Sequence, residues 1–362
     1  MSAHVLKDFL HNHQTMGRWE RLRRLVTPQD TLGIILYGEP DPDSLAAAWA
    51  LRHIFRPRVH AVEIVAQQPV RRAQNVRFFN VLKIPLKVVD EIPWQAYTKR
   101  ALVDAQPDFF QPAPTVPFDI VIDHHPKRAK CQVRFADIRV SYGSTCTILL
   151  EYLLCAGDTL PKRLATALWY GLWIDTDKLT RAVSAQDMAA ISFLYRKADA
   201  ETLRWLEQTQ IPSAYRPLYQ LGLDALALDE KRALVFLGEI SQPDACVHVA
   251  DFLARFGGVH WVAIAGVFQK KLYVILRSGM YGVNVGRIAR QKLGAFGSAG
   301  GHLDKARAEI PLAGLAETLH AEPTLAQLDA WLHRVLLPRR AQATALAAPR
   351  RHPKQSTIPP RS

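Results

Sequence analysis

Cysteine is scarce in this chain. Only Cys131, Cys146, Cys155 and Cys246 occur in 362 residues, and no two of them form a C-x-x-C pair. That spacing excludes a disulfide-rich scaffold, and reduced thiols in a cytoplasmic protein are the expectation. Long apolar runs are missing too. None approaches the roughly eighteen residues of a membrane-spanning helix. Residues 1–20 carry charge throughout and contain no apolar stretch of the signal-peptide kind. There is no internal repeat. Acids are outnumbered, 33 against 46 lysines and arginines, for a formal charge of +13. Nearly half of that excess sits in residues 339–362, with six basic residues and no acid. This Ala-, Pro- and Gln-rich tail is expected to be disordered. Further basic groups stand at Arg18, Arg21, Arg23 and Arg24 and at Lys270-Lys271. A basic surface draws anions, but it specifies neither their length nor their sequence.

What is present reads as α/β. Residues 1–28 form an N-terminal helix with Trp19 and Leu22 on its apolar face. From about residue 30, short aliphatic runs alternate with helical ones, which predicts a doubly wound parallel sheet within an N-terminal domain of residues 1–195. A helical connector follows over 196–228, broken at Pro212 and Pro217. A smaller α/β domain with a mixed sheet then occupies 229–336, and the tail is 337–362. Within the second domain, residues 232–237 read as a strand and 245–256 as a helix. Residues 261–268 and 271–276 form a hairpin around Gln269-Lys270, followed by a helix near 285–293 and a strand at 308–310.

The chemistry-bearing residues gather where apolar runs end. Phe118-Asp119-Ile120-Val121-Ile122 is a buried strand that stops at Asp123-His124-His125, with Pro126 breaking the chain. Gly33-Ile34-Ile35-Leu36-Tyr37 is followed by Asp41 and Asp43 at the start of a helical run. Arg100-Ala101-Leu102-Val103 ends at Asp104, and the apolar run 168–174 ends at Asp175-Thr176-Asp177. Each acid taken singly is explained equally well as a helix cap or a turn residue. Together they place carboxylates at one edge of one sheet, where ligands bind in open parallel sheets. Clustered carboxylates repel one another and are tolerated where cations bridge them. Oxygen donors with an imidazole suit manganese or magnesium better than zinc.

In this order, Pro-Asp41-Pro-Asp43, Asp104, Asp123-His124-His125 and Asp175-Thr176 resemble the DHH superfamily of phosphoesterases. Late in the chain, Arg277-Ser278, Val283-Asn284-Val285, Ile288-Ala289 and Gly297-Ser298-Ala299-Gly300-Gly301-His302 resemble the DHH-associated substrate domain of RecJ and the nanoRNases. The resemblance covers residues 30–315. It implies a manganese-dependent hydrolase, with two Mn²⁺ expected and Mg²⁺ as an alternative. The implied metal ligands are Asp41, Asp43, Asp104, His124 and Asp175, and Asp123 and His125 are the implied near-catalytic pair. Arg277, Ser278, Gly300, Gly301 and His302 are the implied grip on substrate phosphate. Two bridged metals lower the pKa of a shared water and clamp attacking and leaving oxygens during in-line attack on phosphorus.

Two positions depart from the family pattern. Tyr37 stands where the first motif carries a histidine, and neutral tyrosine is a poor ligand, with a reference pKa of about 10. Either Glu39, two residues on, or a water fills that place, or a single metal binds. Asp177 stands at a family glycine, as an extra outer contact or an exposed acid. The implied substrates are short nucleotides: nanoRNA, dinucleotides, pAp or linearised cyclic dinucleotides. A homodimer is compatible with the resemblance, and no membrane partner is expected. The alternatives are a non-catalytic or single-metal nucleotide sensor, for which Tyr37 is the case, and an inorganic pyrophosphatase or polyphosphatase, against which Gly300-Gly301-His302 argues.

Overall fold

Six short aliphatic runs pair into one parallel sheet. They are β1 (Thr31–Leu36), β2 (Ala61–Ala66), β3 (Leu86–Val88), β4 (Lys99–Val103), β5 (Ile120–Asp123) and β6 (Phe135–Ile138). Their order is β3-β2-β1-β4-β5-β6, with every neighbouring pair parallel. The strand order reverses between β1 and β4. The crevice beyond the carboxyl ends of these two strands is therefore the topological switch point, where such sheets bind ligands. The computed structural model describes residues 13–112, 114, 116–127, 133–181, 183–208, 211–226, 231–319 and 323–337. The first twelve residues, Cys131 and residues 338–362 of the basic tail lie outside it.

The chain divides into two units, Met1–Gln210 and Ile211–Ser362. In the first, side chains of β1 alternate between two cores. Leu32, Ile34 and Leu36 join the larger one, with α1 (His13–Arg23), α2 (Pro42–Phe55), α3 (Ala73–Leu82), α4 (Thr145–Ala156), α5 (Lys162–Asp175), α6 (Ala185–Tyr195) and α7 (Ala200–Glu207). Trp19 and Leu22 of α1 are buried there, as their spacing predicts. Ile35 joins the smaller core with Leu102, Val121, Ile92 and Phe118. Among the described residues, no α-helix contributes to that second core. Single 3-10 turns, Trp94–Ala96 and Pro107–Phe109, and their neighbours cover it. The cause is local: Pro93, Pro107, Pro112, Pro114 and Pro117 stand in the two connections, and each removes an N–H that a helix needs.

The second unit holds β7 (Arg232–Glu239), β8 (Trp261–Phe268), β9 (Lys271–Ser278), β10 (Ser298–Gly301) and β11 (Lys305–Pro311) in the order β10-β11-β9-β8-β7. Only β7 and β8 are parallel, so the sheet is mixed. The β8–β9 hairpin turns on Gln269 and Lys270, with φ of 46° and 60°, the left-handed pair that a two-residue turn requires. One sheet face packs on α8 (Arg216–Leu226) and α9 (Asp244–Leu253). The other packs on α10 (Val285–Leu293), α11 (Leu312–Leu319) and α12 (Leu325–Leu336).

The segment expected as a connector is shared out between the units. Leu203 and Leu206 of α7 lie in the first core, whereas Leu218 and Tyr219 of α8 pack in the second. Pro217 does not break a helix; it sits in the first turn of α8, where its missing N–H has no partner to lose. Among the described residues, no helix is long and apolar enough to cross a membrane.

Candidate metal centre

Four chain segments bring acids to the switch point. Asp41 caps α2 and Asp43 stands in its first turn, just after β1. Asp104 follows β4, Asp123 ends β5, and Asp175 ends α5. His124 Nε2 lies 3.0 Å from Asp175 Oδ2, 3.6 Å from Asp104 Oδ1 and 4.0 Å from Asp43 Oδ2. His125 Nδ1 lies 2.8 Å from Asp123 Oδ1 and 3.8 Å from Asp104 Oδ1. Two triads result, Asp43–His124–Asp175 and Asp104–His124–His125, each with its donor atoms within 4.8 Å of one another. Asp41 is in neither. Its Oδ1 accepts the Ser44 N–H at 2.9 Å in a capping box, so one oxygen already serves the helix.

Each group is aimed by partners, several of which leave little trace in sequence. Asp43 Oδ1 accepts from Ser144 Oγ at 2.5 Å and from the Cys146 N–H at 2.9 Å, and Oδ2 accepts from the Thr145 N–H at 2.8 Å. The N-terminus of α4 thus points at this carboxylate, where the helix dipole favours negative charge. Thr145 Oγ1 donates to Asp104 Oδ1 at 2.9 Å. Asp104 itself has φ of 59°, a left-handed conformation that aspartate tolerates better than most residues. Asp123 is fully buried and accepts from Gln106 Nε2 at 2.7 Å and from the backbone N–H of His124 at 2.8 Å. The His124 Nδ1 faces the Tyr142 carbonyl at 3.1 Å. A carbonyl only accepts, so Nδ1 carries the proton in the neutral ring and Nε2 is left as a donor to metal. Ser144 is legible as a helix start before an apolar run; Gln106 and the Tyr142 carbonyl give no signal.

Gly171 lets α5 approach this arrangement. A Cβ there would stand 2.7 Å from Cys146 Sγ, 2.9 Å from the Pro42 carbonyl and 3.2 Å from Asp43 Cα. Gly171→Ala is expected to cost about 2 kcal/mol of stability through overpacking. It should also weaken metal binding, because the backbone that must shift carries Asp43. Thermal denaturation and metal titration of the variant check both effects.

The electrostatics are those of a site built for a cation. Burial raises the Asp104 carboxyl well above its ordinary range, with Asp43, Asp41, Asp175 and Asp123 adding to the effect. Burial and Asp175 raise Asp43, and burial and Asp43 raise Asp41. Burial opposes the charge on His124, but Asp175 and Asp43 outweigh it and lift the imidazole to about 9. Burial likewise works against Asp123, where His125 and Gln106 prevail and hold the carboxyl below its usual value. His125 is raised by its bond to Asp123. The test of fit lies in two atoms. His124 Nε2 and Asp175 Oδ2 are buried and face each other at 3.0 Å without an aligned hydrogen bond to any group, a costly state that a shared cation resolves. With three carboxylates and an imidazole around that point, the donor set suits a hard or borderline divalent ion.

Not every expected residue converges. Glu39 does not turn to the cluster: its Oε1 accepts the N–H groups of Arg71 at 3.0 Å and Arg72 at 2.9 Å, ahead of α3. The alternation that would have kept it beside Tyr37 ends with β1 at Leu36, and Gly38 then takes a left-handed φ of 65°. Glu39→Gln should leave the metal content unchanged and cost about 1 kcal/mol of stability, the scale of a bond to a charged group. Elemental analysis and denaturation measure the two. Tyr37 turns its ring to Phe109 and Phe110, at centroid distances of 5.7 and 4.9 Å. Asp177, Lys178 and Leu179 have φ of 49°, 59° and 64°, a left-handed turn directly after Asp175-Thr176. The family glycine at 177 thus corresponds to a real backbone demand.

In the second unit the expected phosphate grip is rearranged. Arg277 is largely covered, with Nε donating to Asp251 Oδ1 at 2.5 Å and Nη1 to the Leu276 carbonyl. Ser278 Oγ donates to the Met280 carbonyl. Gly300 and Gly301 are not a free loop but strand β10, paired to Arg307 and Ala306 of β11. Gly301 serves close packing, since a Cβ there would collide with the Lys305 carbonyl oxygen, and a Cβ on Gly286 would fall 2.5 Å from the carbonyl oxygens of Gly301 and His302. A Cβ on Gly300 would meet open space. The first N–H groups of α10, on Val285 and Gly286, donate to the carbonyls of Leu303 and His302. Positive charge comes instead from Arg287 and Arg290, which line a cavity of about 500 Å³ together with His302 and others.

Comparisons with known proteins place this geometry. No family model matches the chain. An uncharacterized protein of Methanocaldococcus jannaschii is 30% identical over 280 residues, which are 77% of this chain and 58% of that protein. The chain thus spans little more than half the length of that relative. RecJ of Thermus thermophilus, solved in complex with Mn²⁺, aligns over 89% of this chain and 54% of its own, at 13% identity and a TM-score of 0.42. An exopolyphosphatase-related protein of Bacteroides fragilis aligns over 89% of this chain and 98% of its own, at 14% identity and a TM-score of 0.62. Over nearly nine tenths of its length, the chain has the fold of that Bacteroides protein.

Proposed function

We propose that the chain is a metal-dependent phosphoesterase of the DHH superfamily, acting on short nucleotides such as dinucleotides, nanoRNA, pAp or linearised cyclic dinucleotides. The observation that carries this reading is the buried pair of His124 Nε2 and Asp175 Oδ2, 3.0 Å apart and flanked by Asp43 and Asp104 at the sheet's switch point. These four residues would hold Mn²⁺ or Mg²⁺. A divalent ion bound there supplies a water of lowered pKa and neutralises charge on the phosphoryl oxygens. Asp123 fixes the orientation of His125, and its charge keeps that imidazole protonated to higher pH. With Nδ1 anchored, Nε2 of His125 is the atom available to protonate the departing ester oxygen. Arg287 and Arg290 offer positive charge to a further phosphate in the second unit, beside His302. With Tyr37 turned to its aromatic neighbours and Glu39 engaged elsewhere, one tightly bound ion per chain is the reading that the donors support.

The test supplies the purified protein with Mn²⁺ and a dinucleotide, pAp, pyrophosphate and a cyclic dinucleotide in turn, with Asp123→Ala as control. Turnover of a dinucleotide or pAp, abolished by chelation and strongly reduced in the control, is expected. Turnover of pyrophosphate alone would overturn the reading in favour of a phosphoanhydride substrate. Nucleotide binding with no turnover of any compound would make the protein a sensor.

A further inference from the structure

A line of aromatic rings runs from the surface to the metal centre. Tyr37 follows β1 and is 44% exposed although it is a large aromatic residue. Its ring meets Phe109 edge-on at 5.7 Å, and Phe109 lies in the 3-10 turn that follows β4. Phe109 in turn meets His125 at 5.9 Å and 79°, and the rings of His125 and His124 are 4.5 Å apart. The strands that precede Tyr37 and Phe109, β1 and β4, are the pair flanking the switch point. An exposed aromatic face contiguous with a site is more informative than a scattered surface residue.

We infer that Tyr37 and Phe109 form a stacking shelf for a nucleobase of the substrate, and so set its preference for base-bearing esters. The inference rests on the phosphoesterase reading for the name of the ligand, but its physical basis is separate. A nucleobase is a flat π-system tethered to a phosphate, so a phosphate at the metal centre brings its base to an adjoining aromatic surface. Inorganic polyphosphate has no apolar face and gains nothing from these rings. Stacking of one base on an aromatic side chain is worth about 1–3 kcal/mol, which at about 1.4 kcal/mol per decade amounts to a preference of about fivefold to a hundredfold. The same geometry gives the missing first-motif histidine a role of its own: position 37 has exchanged a ligand for a platform.

The experiment measures binding rather than turnover. A non-hydrolysable phosphorothioate dinucleotide and its abasic counterpart are titrated calorimetrically into the full chain with Mn²⁺. The wild type should bind the base-bearing compound about tenfold more tightly. Tyr37→Leu should lose most of that preference, Phe109→Leu should weaken it, and Tyr37→Phe should keep it. Equal affinities in the wild type, or an undiminished preference in Tyr37→Leu, would overturn the shelf. A preference that depends on Tyr37 in a protein without turnover would refute the catalytic reading and leave the shelf standing.

Discussion

Asp104→Asn is expected to reduce turnover about a thousandfold and, at the same time, to raise the melting temperature of the metal-free protein. The substitution keeps shape and local geometry. Asparagine retains an Oδ1 to accept from Thr145 Oγ1, and it tolerates the left-handed φ of 59° that this position requires. What it removes is charge. In the metal-free site the Asp104 carboxyl is buried among four other acids that raise its pKa, so ionising it at neutral pH opposes folding. In a metal-loaded site the same charge would hold the ion, and loss of several kcal/mol of transition-state stabilisation would correspond to about three decades in rate. The variant thus trades activity for stability, as active-site carboxylates commonly do. Calorimetry in chelator and kcat/KM in Mn²⁺ give the two numbers. A metal-free protein less stable than wild type, or a rate within tenfold of it, would remove Asp104 from the metal site.

Metal affinity should rise steeply with pH. His124 titrates near 9 in the metal-free protein, and its Nε2 must lose a proton before it can bind an ion. Below that pH each unit of increase should strengthen Mn²⁺ binding about tenfold, and more steeply where Asp104 also releases a proton. Stability of the metal-free protein runs the other way. A histidine raised by folding stabilises below its unfolded pKa of about 6.5 and loses that contribution as pH rises through 9. A carboxyl raised by burial favours the folded state only while protonated, so it works in the same direction above about pH 4. The melting temperature in chelator should therefore fall from pH 6 to pH 9 while the increment produced by Mn²⁺ grows. Metal titrations at fixed ionic strength across this interval measure the slope. A flat affinity between pH 6 and 8 would exclude His124 as a ligand.

The two predictions depend on residues that the sequence displays unevenly. Element ends are legible because an apolar run stops at an acid or a proline, and so Asp104 and Asp123 at strand ends, Asp43 at a helix start and Asp175 at the end of an apolar run could be gathered at one sheet edge before any coordinates. The hairpin at Gln269-Lys270 and the helix at Val285–Leu293 were legible for similar reasons of period and punctuation. The partners that aim these groups were not. The Tyr142 carbonyl that fixes His124 is a backbone atom, and Gln106 is one polar residue among many. The partners of Glu39 and Arg277 were not legible either. Glu39 is engaged by the turn at Arg71-Arg72 and Arg277 by Asp251 on the neighbouring helix. Glycine near residue 300 looked like a loop for anions and instead permits a hairpin to pass beneath α10. Gly171 carried no sequence signal at all, since its role is defined by what it touches.

The left-handed turn at Asp177, Lys178 and Leu179 bears on the history that this protein can record. Three successive side chains sit in a conformation that costs each roughly 1–2 kcal/mol relative to the right-handed one. Glycine at 177 would adopt that conformation without the steric cost of a Cβ. A randomised library answers the question directly. Recovery of glycine at 177 in a screen for thermal survival, and of aspartate in a screen for turnover, would date the acid to adaptation of the active site rather than to ancestry of the fold.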